Sequence, residues 1–140
     1  MKEELLEIEA IAQRYQESIL SEASKNQLEK FKGWISEHIE DVIFKDFEEL
    51  YMTANGFEFN GLIIYSLDDK QKSNIYDLNN EWHDNADLKR FLFFSDSDIS
   101  WYCYDIKDKI FCELDKPSGT LMGTYKNFSD LISTALEAIM

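Results

Sequence analysis

The spacing of apolar residues changes at Gly56, and this change constrains the fold more than any other feature of the sequence. Before Gly56, apolar residues recur every three or four positions, which is the spacing of an amphipathic helix. After it, the segment 57–59 alternates between apolar and charged residues, which is the spacing of a strand. Because glycine adopts the left-handed conformation that closes a helix without a side-chain clash, the pair Asn55-Gly56 is predicted to end a helix. The chain is therefore expected to be helical first and β-structured afterwards.

Three helices are predicted before Gly56. The second has a defined start, because Ser24 and Gln27 can form a capping box in which each side chain binds the main-chain N–H of the other residue. Its apolar stripe is widened by Trp34 and His38. The stripes of the three helices are Leu5, Ile8, Ala12, Tyr15 and Ile19; Leu28, Phe31, Ile35 and Ile39; and Phe44, Phe47, Leu50, Tyr51 and Ala54.

The rest of the chain is predicted to be mainly β. Residues 57–65 are expected to form one strand, in which the second Asn-Gly pair, Asn60-Gly61, makes a bulge or a bend. Residues 66–90 are polar and irregular, with a short helix predicted around Ile75–Trp82. Four more strands are predicted in FLFF, WYCYDI, KIFCEL and TLMGTY, and an amphipathic helix follows over residues 128–139.

This order of elements is typical of an α+β domain. We expect N-terminal helices, a mainly antiparallel twisted sheet and a C-terminal helix packed on that sheet. Residues 1–140 are expected to form a single domain, since a chain of this length buries a core of its own.

The best-defined pairing in the predicted sheet is a hairpin that turns at Lys107-Asp108. A two-residue turn places Cys103 opposite Cys112 and Tyr104 opposite Phe111, whereas a three-residue turn would place Cys103 opposite Phe111. In the first register the two faces of the hairpin carry Trp101, Cys103, Ile110, Cys112 and Leu114 on one side and Tyr102, Tyr104, Phe111 and Glu113 on the other.

The charge of the chain favours a basic protein partner. Asp and Glu number 28 against 14 Lys and Arg, so the net charge is −14. Binding to nucleic acid requires clustered basic residues for the phosphate backbone, and a strongly acidic surface opposes it. The same negative field would attract a basic protein. We therefore expect a protein partner, no nucleic-acid partner, and a chain that is a monomer or a weak dimer.

The sequence also favours a cytoplasmic location. The first residues are acidic where a secretion signal has a basic start followed by an apolar run. No stretch approaches the roughly 18 apolar residues that span a bilayer, so no membrane association is expected. Cys103 and Cys112 form neither a CxxC motif nor a set of zinc ligands, and reduced thiols are the expectation in the cytoplasm.

Five segments carry a family resemblance. They are FEELYMTANGFEFNGLIIYSL at 47–67, NIYDLNNEW at 74–82, FFSDSDISWYCYD at 93–105, ELDKPSG at 113–119 and NFSDLISTAL at 127–136. In this order they resemble the SUKH superfamily, and within it the YrhA-like branch. The resemblance covers most of the chain. It departs from the family at Ile43-Phe44, where members commonly begin the third helix with Leu-Pro.

The resemblance implies a non-enzymatic protein-binding domain. Many members of the superfamily are bacterial immunity proteins, which bind and neutralise a cognate toxin, often a nuclease. Another member is a yeast cell-wall regulatory scaffold. The resemblance therefore implies an immunity protein, with a regulatory or scaffold protein that binds a cellular partner as the alternative.

The residues themselves predict no catalytic site, cofactor or metal. Cys103 and Cys112 are the candidate nucleophiles and His38 and His83 the candidate bases, but both cysteines lie in apolar strands where burial keeps a thiol neutral. The segment DSDIS resembles the start of a calcium loop, yet Trp101 occupies the position where such a loop requires glycine. A small-molecule enzyme is kept as a third hypothesis, since a missing motif does not exclude one.

The predicted partner-binding residues lie on the hairpin and its acidic edge. Tyrosine is enriched at interface hot spots, and carboxylates would complement a basic partner. These candidate contact residues are Asp96, Asp98, Tyr102, Tyr104 and Glu113.

Overall fold

The computed structural model describes residues 1–40 and 42–140. Within these residues the chain forms five α-helices: α1 (Lys2–Gln13), α2 (Lys25–His38), α3 (Phe44–Tyr51), α4 (Ile75–Trp82) and α5 (Phe128–Glu137). The strands are β1 (Phe57–Phe59), β2 (Leu62–Ile64), β3 (Phe91–Asp96), β4 (Ser100–Asp105), β5 (Ile110–Asp115) and β6 (Leu121–Tyr125). A single 3₁₀ turn, Ala86–Leu88, precedes β3.

The six strands form one antiparallel sheet in which each strand pairs with the next along the chain. Helix α5 packs on this sheet, and the predicted α+β class is confirmed. Its Phe128 stacks on Phe47 of α3, with ring centroids 4.2 Å apart. The same ring meets Phe94 of β3 edge-on. These aromatic contacts place the core between the sheet and helices α3 and α5.

Helix α4 covers the opposite face of the sheet. Its Trp82 and the following His83 lie against Phe93, and Trp82 also meets Trp101 edge-on. Phe93 and Phe94 are neighbours in β3 and therefore point to opposite faces. The middle of the sheet is consequently covered on both sides, and every residue of β4 is buried.

An asparagine side chain extends the sheet where β2 is too short to do so. Strand β2 pairs with Ser95 and Asp96 of β3, which leaves the first half of β3 without a strand on the β2 side. The Asn79 amide fills this place, because its Nδ2 donates to the Phe93 carbonyl and its Oδ1 accepts from the Phe93 N–H, both at 2.8 Å. His83 Nε2 donates to the Phe91 carbonyl at 2.6 Å.

Two local predictions for the helices are confirmed. Ser24 and Gln27 form the capping box at the start of α2, and the short helix predicted around Ile75–Trp82 is α4. The predicted helix end at Asn55-Gly56 is wrong, because α3 already ends at Tyr51, with Met52 as a right-handed C-cap. Ala54 and Asn55 pair with Ser21 instead, and the left-handed Gly56, with φ of +79°, stands just before β1.

The prediction for the first helix is wrong in its second half. Helix α1 ends at Gln13, so Tyr15 and Ile19 lie beyond it, and Tyr15 is 71% exposed. Gln16 has φ of +60°, which no α-helix accommodates. The side chain of Glu9 then holds the following segment by accepting hydrogen bonds from the Ser18 hydroxyl at 2.6 Å and the Ile19 N–H at 2.8 Å.

The prediction of one kinked strand over residues 57–65 is also wrong. Asn60 and Gly61 form the two-residue turn of a hairpin, in which Phe59 lies opposite Leu62. Both turn residues have positive φ, +49° and +83°, which is the geometry of a type I′ turn. The later hairpin has the register predicted from a two-residue turn, with Cys103 opposite Cys112 and Tyr104 opposite Phe111.

Candidate functional site

Three of the predicted contact residues lie inside the protein. Asp96, Tyr102 and Tyr104 are 5%, 3% and 6% exposed. The expectation that they present their side chains to a partner is contradicted by this burial. The physical reason is that β3 and β4 lie in the middle of the sheet, with α5 on one face and α4 on the other. The alternation of side chains in a strand does not by itself distinguish a solvated face from one that a helix covers.

Asp96 belongs to a buried polar network that connects separate elements. Its carboxylate accepts hydrogen bonds from the Tyr65 hydroxyl and, at 3.0 Å, from Lys116 Nζ. Trp82 Nε1 in turn donates to the Tyr65 hydroxyl at 3.0 Å. Burial raises the pKa of Tyr65 well above its usual value, and the charge of Asp96 adds to this effect. The tyrosine therefore stays protonated and donates to a carboxylate whose charge Lys116 balances.

Glu113 is half-buried on the face of the sheet that α5 covers. Its carboxylate accepts a hydrogen bond from the Ser100 hydroxyl at 2.7 Å and lies across the strands from Tyr102. Burial raises the pKa of Tyr102 to about 12, and the charge of Glu113 contributes to the increase. Glu113 thus has internal hydrogen bonds that compete with any bond to a partner.

Asp98 is the predicted contact residue that is exposed. It lies in the turn between β3 and β4, beside the Asn60-Gly61 turn, with Oδ2 3.7 Å from the place where a Cβ on Gly61 would stand. No ion pair joins Asp98 to the described basic residues. Among the predicted contact residues, Asp98 is therefore available to a partner, whereas Asp96 is not.

Two surface depressions flank strand β1 at the edge of the sheet next to Asp98. The first, of about 400 Å³, is lined by the end of α1, by Glu17 and by β1 and its turn, including Glu58 and Phe59. The second, of about 460 Å³, is lined by Glu58 and Ile63 and, across from them, by the loop around Asp68 to Ser73. We name the strand and these two depressions the β1 groove. Sequence analysis missed Glu17 and Glu58, and the only signal for Glu58 was its polar position between two phenylalanines.

The candidate catalytic groups are held in structural contacts. Cys103 and Cys112 are buried, with their Sγ atoms 3.5 Å apart. Burial raises the pKa of Cys103 well above its usual value, and the hydrogen bond with Cys112 adds to the rise. His83 donates to the Phe91 carbonyl, and His38 Nδ1 lies 2.7 Å from the Trp34 carbonyl within its own helix. The Cys103 thiol is therefore neutral, and it is hydrogen-bonded to Cys112 rather than to either histidine.

Residues 1–40 and 42–140 contain no group of three or more His, Cys, Asp or Glu side chains placed to hold a metal ion. None of their helices combines the length and the apolar character that crossing a bilayer requires.

Comparison with family models and with curated proteins identified no relative of this chain. No family model matches the chain, and no curated protein matches it either. The resemblance to the SUKH superfamily therefore stays a prediction.

Proposed function

We propose that this chain is a non-enzymatic protein-binding domain that acts in the cytoplasm as an immunity protein, by binding and neutralising a cognate bacterial toxin. The observation that carries the proposal is the excess of solvent-exposed carboxylates without basic partners. The net charge is −14, and Glu17, Glu58 and Asp98 are exposed and form no ion pair with the described basic residues. The resemblance to a superfamily rich in immunity proteins supports the same function.

The physical argument concerns the class of toxin that such a surface fits. A nuclease binds the phosphate backbone through clustered Lys and Arg side chains. A partner with exposed carboxylates can cover these side chains and exclude the nucleic acid, and long-range attraction speeds the encounter. A nuclease is therefore the toxin class that the charge of this chain favours.

The proposal expects a toxin domain to be encoded beside the gene of this chain. The test is co-expression of this chain with that neighbour, followed by titration calorimetry of the two purified proteins. The proposal expects survival of the cells and a stoichiometric complex. A toxin that kills regardless of this chain, together with the absence of heat on mixing, would overturn the proposal. Inactivation of the toxin without a complex would support an enzymatic mechanism instead.

A further inference from the structure

The outer edge of β1 has a main chain that is free to pair with another strand. Strand β1 is the first strand in the order of the sheet, so no strand within residues 1–40 and 42–140 pairs with its outer side. Phe59 and Leu62 flank the two-residue turn and form its hydrogen-bonded pair. Hydrogen-bonded and non-hydrogen-bonded pairs alternate along an antiparallel ladder, so the next pair, Glu58 and Ile63, is not hydrogen-bonded. The N–H and C=O of Glu58 therefore point away from β2. No hydrogen bond joins them to another described part of the chain.

The two depressions of the β1 groove follow each other along this edge. The first lies at the Asn60-Gly61 turn, where Glu58 and Phe59 approach Glu17 and the end of α1. The second lies toward the start of β1, where Glu58 and Ile63 approach the loop around Asp68 to Ser73. Glu58 lines both depressions, so a strand added along the β1 edge would pass both of them.

The charged residues that line the β1 groove indicate which side chains of a partner would fit it. The lining of the first depression contains Glu17 and Glu58 and, among the described residues, neither Lys nor Arg. Asp98 lies beside Gly61 at the end of the same depression. In the second depression Lys72 offsets Glu58 and Asp68, and Ile63 supplies an apolar surface. A basic side chain fits the first depression, and an uncharged one fits the second.

We propose that the β1 edge binds an extended segment of a protein partner by strand addition, and that this segment carries Lys or Arg where it passes the first depression. The proposal rests on the proposed function and names the surface through which it operates. A second copy of this chain does not fit, because pairing two β1 edges would bring the Glu58 carboxylates of two acidic molecules together. An extended partner supplies main-chain hydrogen bonds for affinity, while its side chains supply specificity.

The first test uses a blocked peptide with the sequence Lys-Val-Lys-Val-Lys, and a control peptide with Glu in place of Lys. Binding of the lysine peptide should slow hydrogen exchange of the Glu58 amide, measured by NMR on the full chain. The double substitution Glu17→Lys with Glu58→Lys should lower the affinity for the lysine peptide by about tenfold or more, because it reverses the charge of the first depression. Glu29→Lys with Glu37→Lys changes the net charge equally on exposed positions of α2 and should have little effect.

The second test separates the main chain from the side chain of Glu58. Glu58→Val removes the carboxylate and keeps the N–H, whereas Glu58→Pro removes both, and proline is tolerated on an edge strand. Glu58→Pro should bind the peptide more weakly than Glu58→Val, with both variants folded by circular dichroism. Strand addition is overturned if exchange of the Glu58 amide does not change at peptide saturation, or if the Glu29, Glu37 variant loses as much affinity as the Glu17, Glu58 variant.

Binding to the toxin of the proposed function distinguishes this inference from that function. If the wild-type chain binds the toxin and Glu58→Pro binds it equally well, the immunity function stands and the toxin uses another surface. If neither binds the toxin, the proposed function fails, whatever the peptide does.

Discussion

At the scale of single residues, Glu9 shows how one carboxylate replaces the hydrogen bonds of a helix. It is 6% exposed and accepts hydrogen bonds from the Ser18 hydroxyl, from the N–H groups of Ile19 and Leu20, and from Gln13. The Ser18 bond contributes most to lowering the pKa of Glu9, and burial opposes it. A carboxyl whose pKa is lower in the folded than in the unfolded protein stabilises the fold while it is ionised, so the stabilisation is lost in acid.

Glu9→Gln should therefore destabilise the protein by about 1–3 kcal/mol near neutral pH, since hydrogen bonds to a charged group are weakened. The difference from the wild type should be fully present above the ordinary glutamate pKa of 4.5 and should shrink as the pH falls below it. Urea unfolding over this pH range measures the effect. Glu7→Gln, an exposed position on the same helix, is the matched control. A Glu9→Gln difference that does not change between neutral and acid pH contradicts the argument.

Gly56 provides a second prediction at this scale. A Cβ added there would lie 2.6 Å from the Ser66 Cα, in addition to the cost of a φ of +79°. At Gly61, φ is +83°, but the nearest atom to an added Cβ is Asp98 Oδ2 at 3.7 Å. Gly61→Ala should therefore lower the free energy of unfolding by about 1–2 kcal/mol, because alanine disfavours the left-handed backbone conformation and meets no close contact there.

Gly56→Ala should cost clearly more than Gly61→Ala, because main-chain atoms must also move. Thermal unfolding of the two variants compares them directly. Equal losses of stability would show that the contact with Ser66 relaxes without cost.

At the scale of elements, a side chain rather than a strand completes the edge of β3. The Asn79 amide pairs with both main-chain groups of Phe93, so removing it leaves a buried N–H and a buried C=O without partners. Asn79→Ala should destabilise the protein by about 2–4 kcal/mol. Asn80→Ala changes the next, exposed residue of the same helix and should cost under about 1 kcal/mol. Chemical denaturation measures both, and similar losses for the two variants would contradict the role of Asn79.

The elements also show how far local pattern predicts structure. The capping box at Ser24, helix α4 and the pairing of Cys103 with Cys112 depend on residues close together in the chain, and all three are as predicted. The Asn60-Gly61 turn was predicted as a bend, because the apolar residues that follow it have the same alternation as those before it. Periodicity cannot distinguish one continuous strand from two strands of a hairpin. The positive φ of both Asn60 and Gly61 shows that the chain turns back there.

At the scale of the whole molecule, the prediction concerns electrostatic steering. Association with the proposed basic toxin should slow by about tenfold or more when the salt concentration rises from low to well above physiological ionic strength, since salt screens exposed charges. Asp98→Lys should slow association more than Asp84→Lys, although both substitutions are at exposed positions and change the net charge equally.

Stopped-flow fluorescence measures these association rates. The reason for the expected difference is that Asp98 lies beside the β1 groove, while Asp84 follows α4 and lines neither depression of the groove. Equal effects of the two substitutions would mean that net charge alone steers the partner.

The sequence by itself determined the α+β class, the capping box of α2 and the acidic character of the chain, and it reduced the hairpin of β4 and β5 to two registers. These depend on local spacing and composition, and each acts over a few residues. Only the tertiary structure decided which polar residues reach solvent. It buried Asp96, Tyr102 and Tyr104 between two covered faces of the sheet, and it placed Glu17 next to Glu58. Burial depends on which elements pack together, and the sequence of a strand does not show whether a helix covers its face.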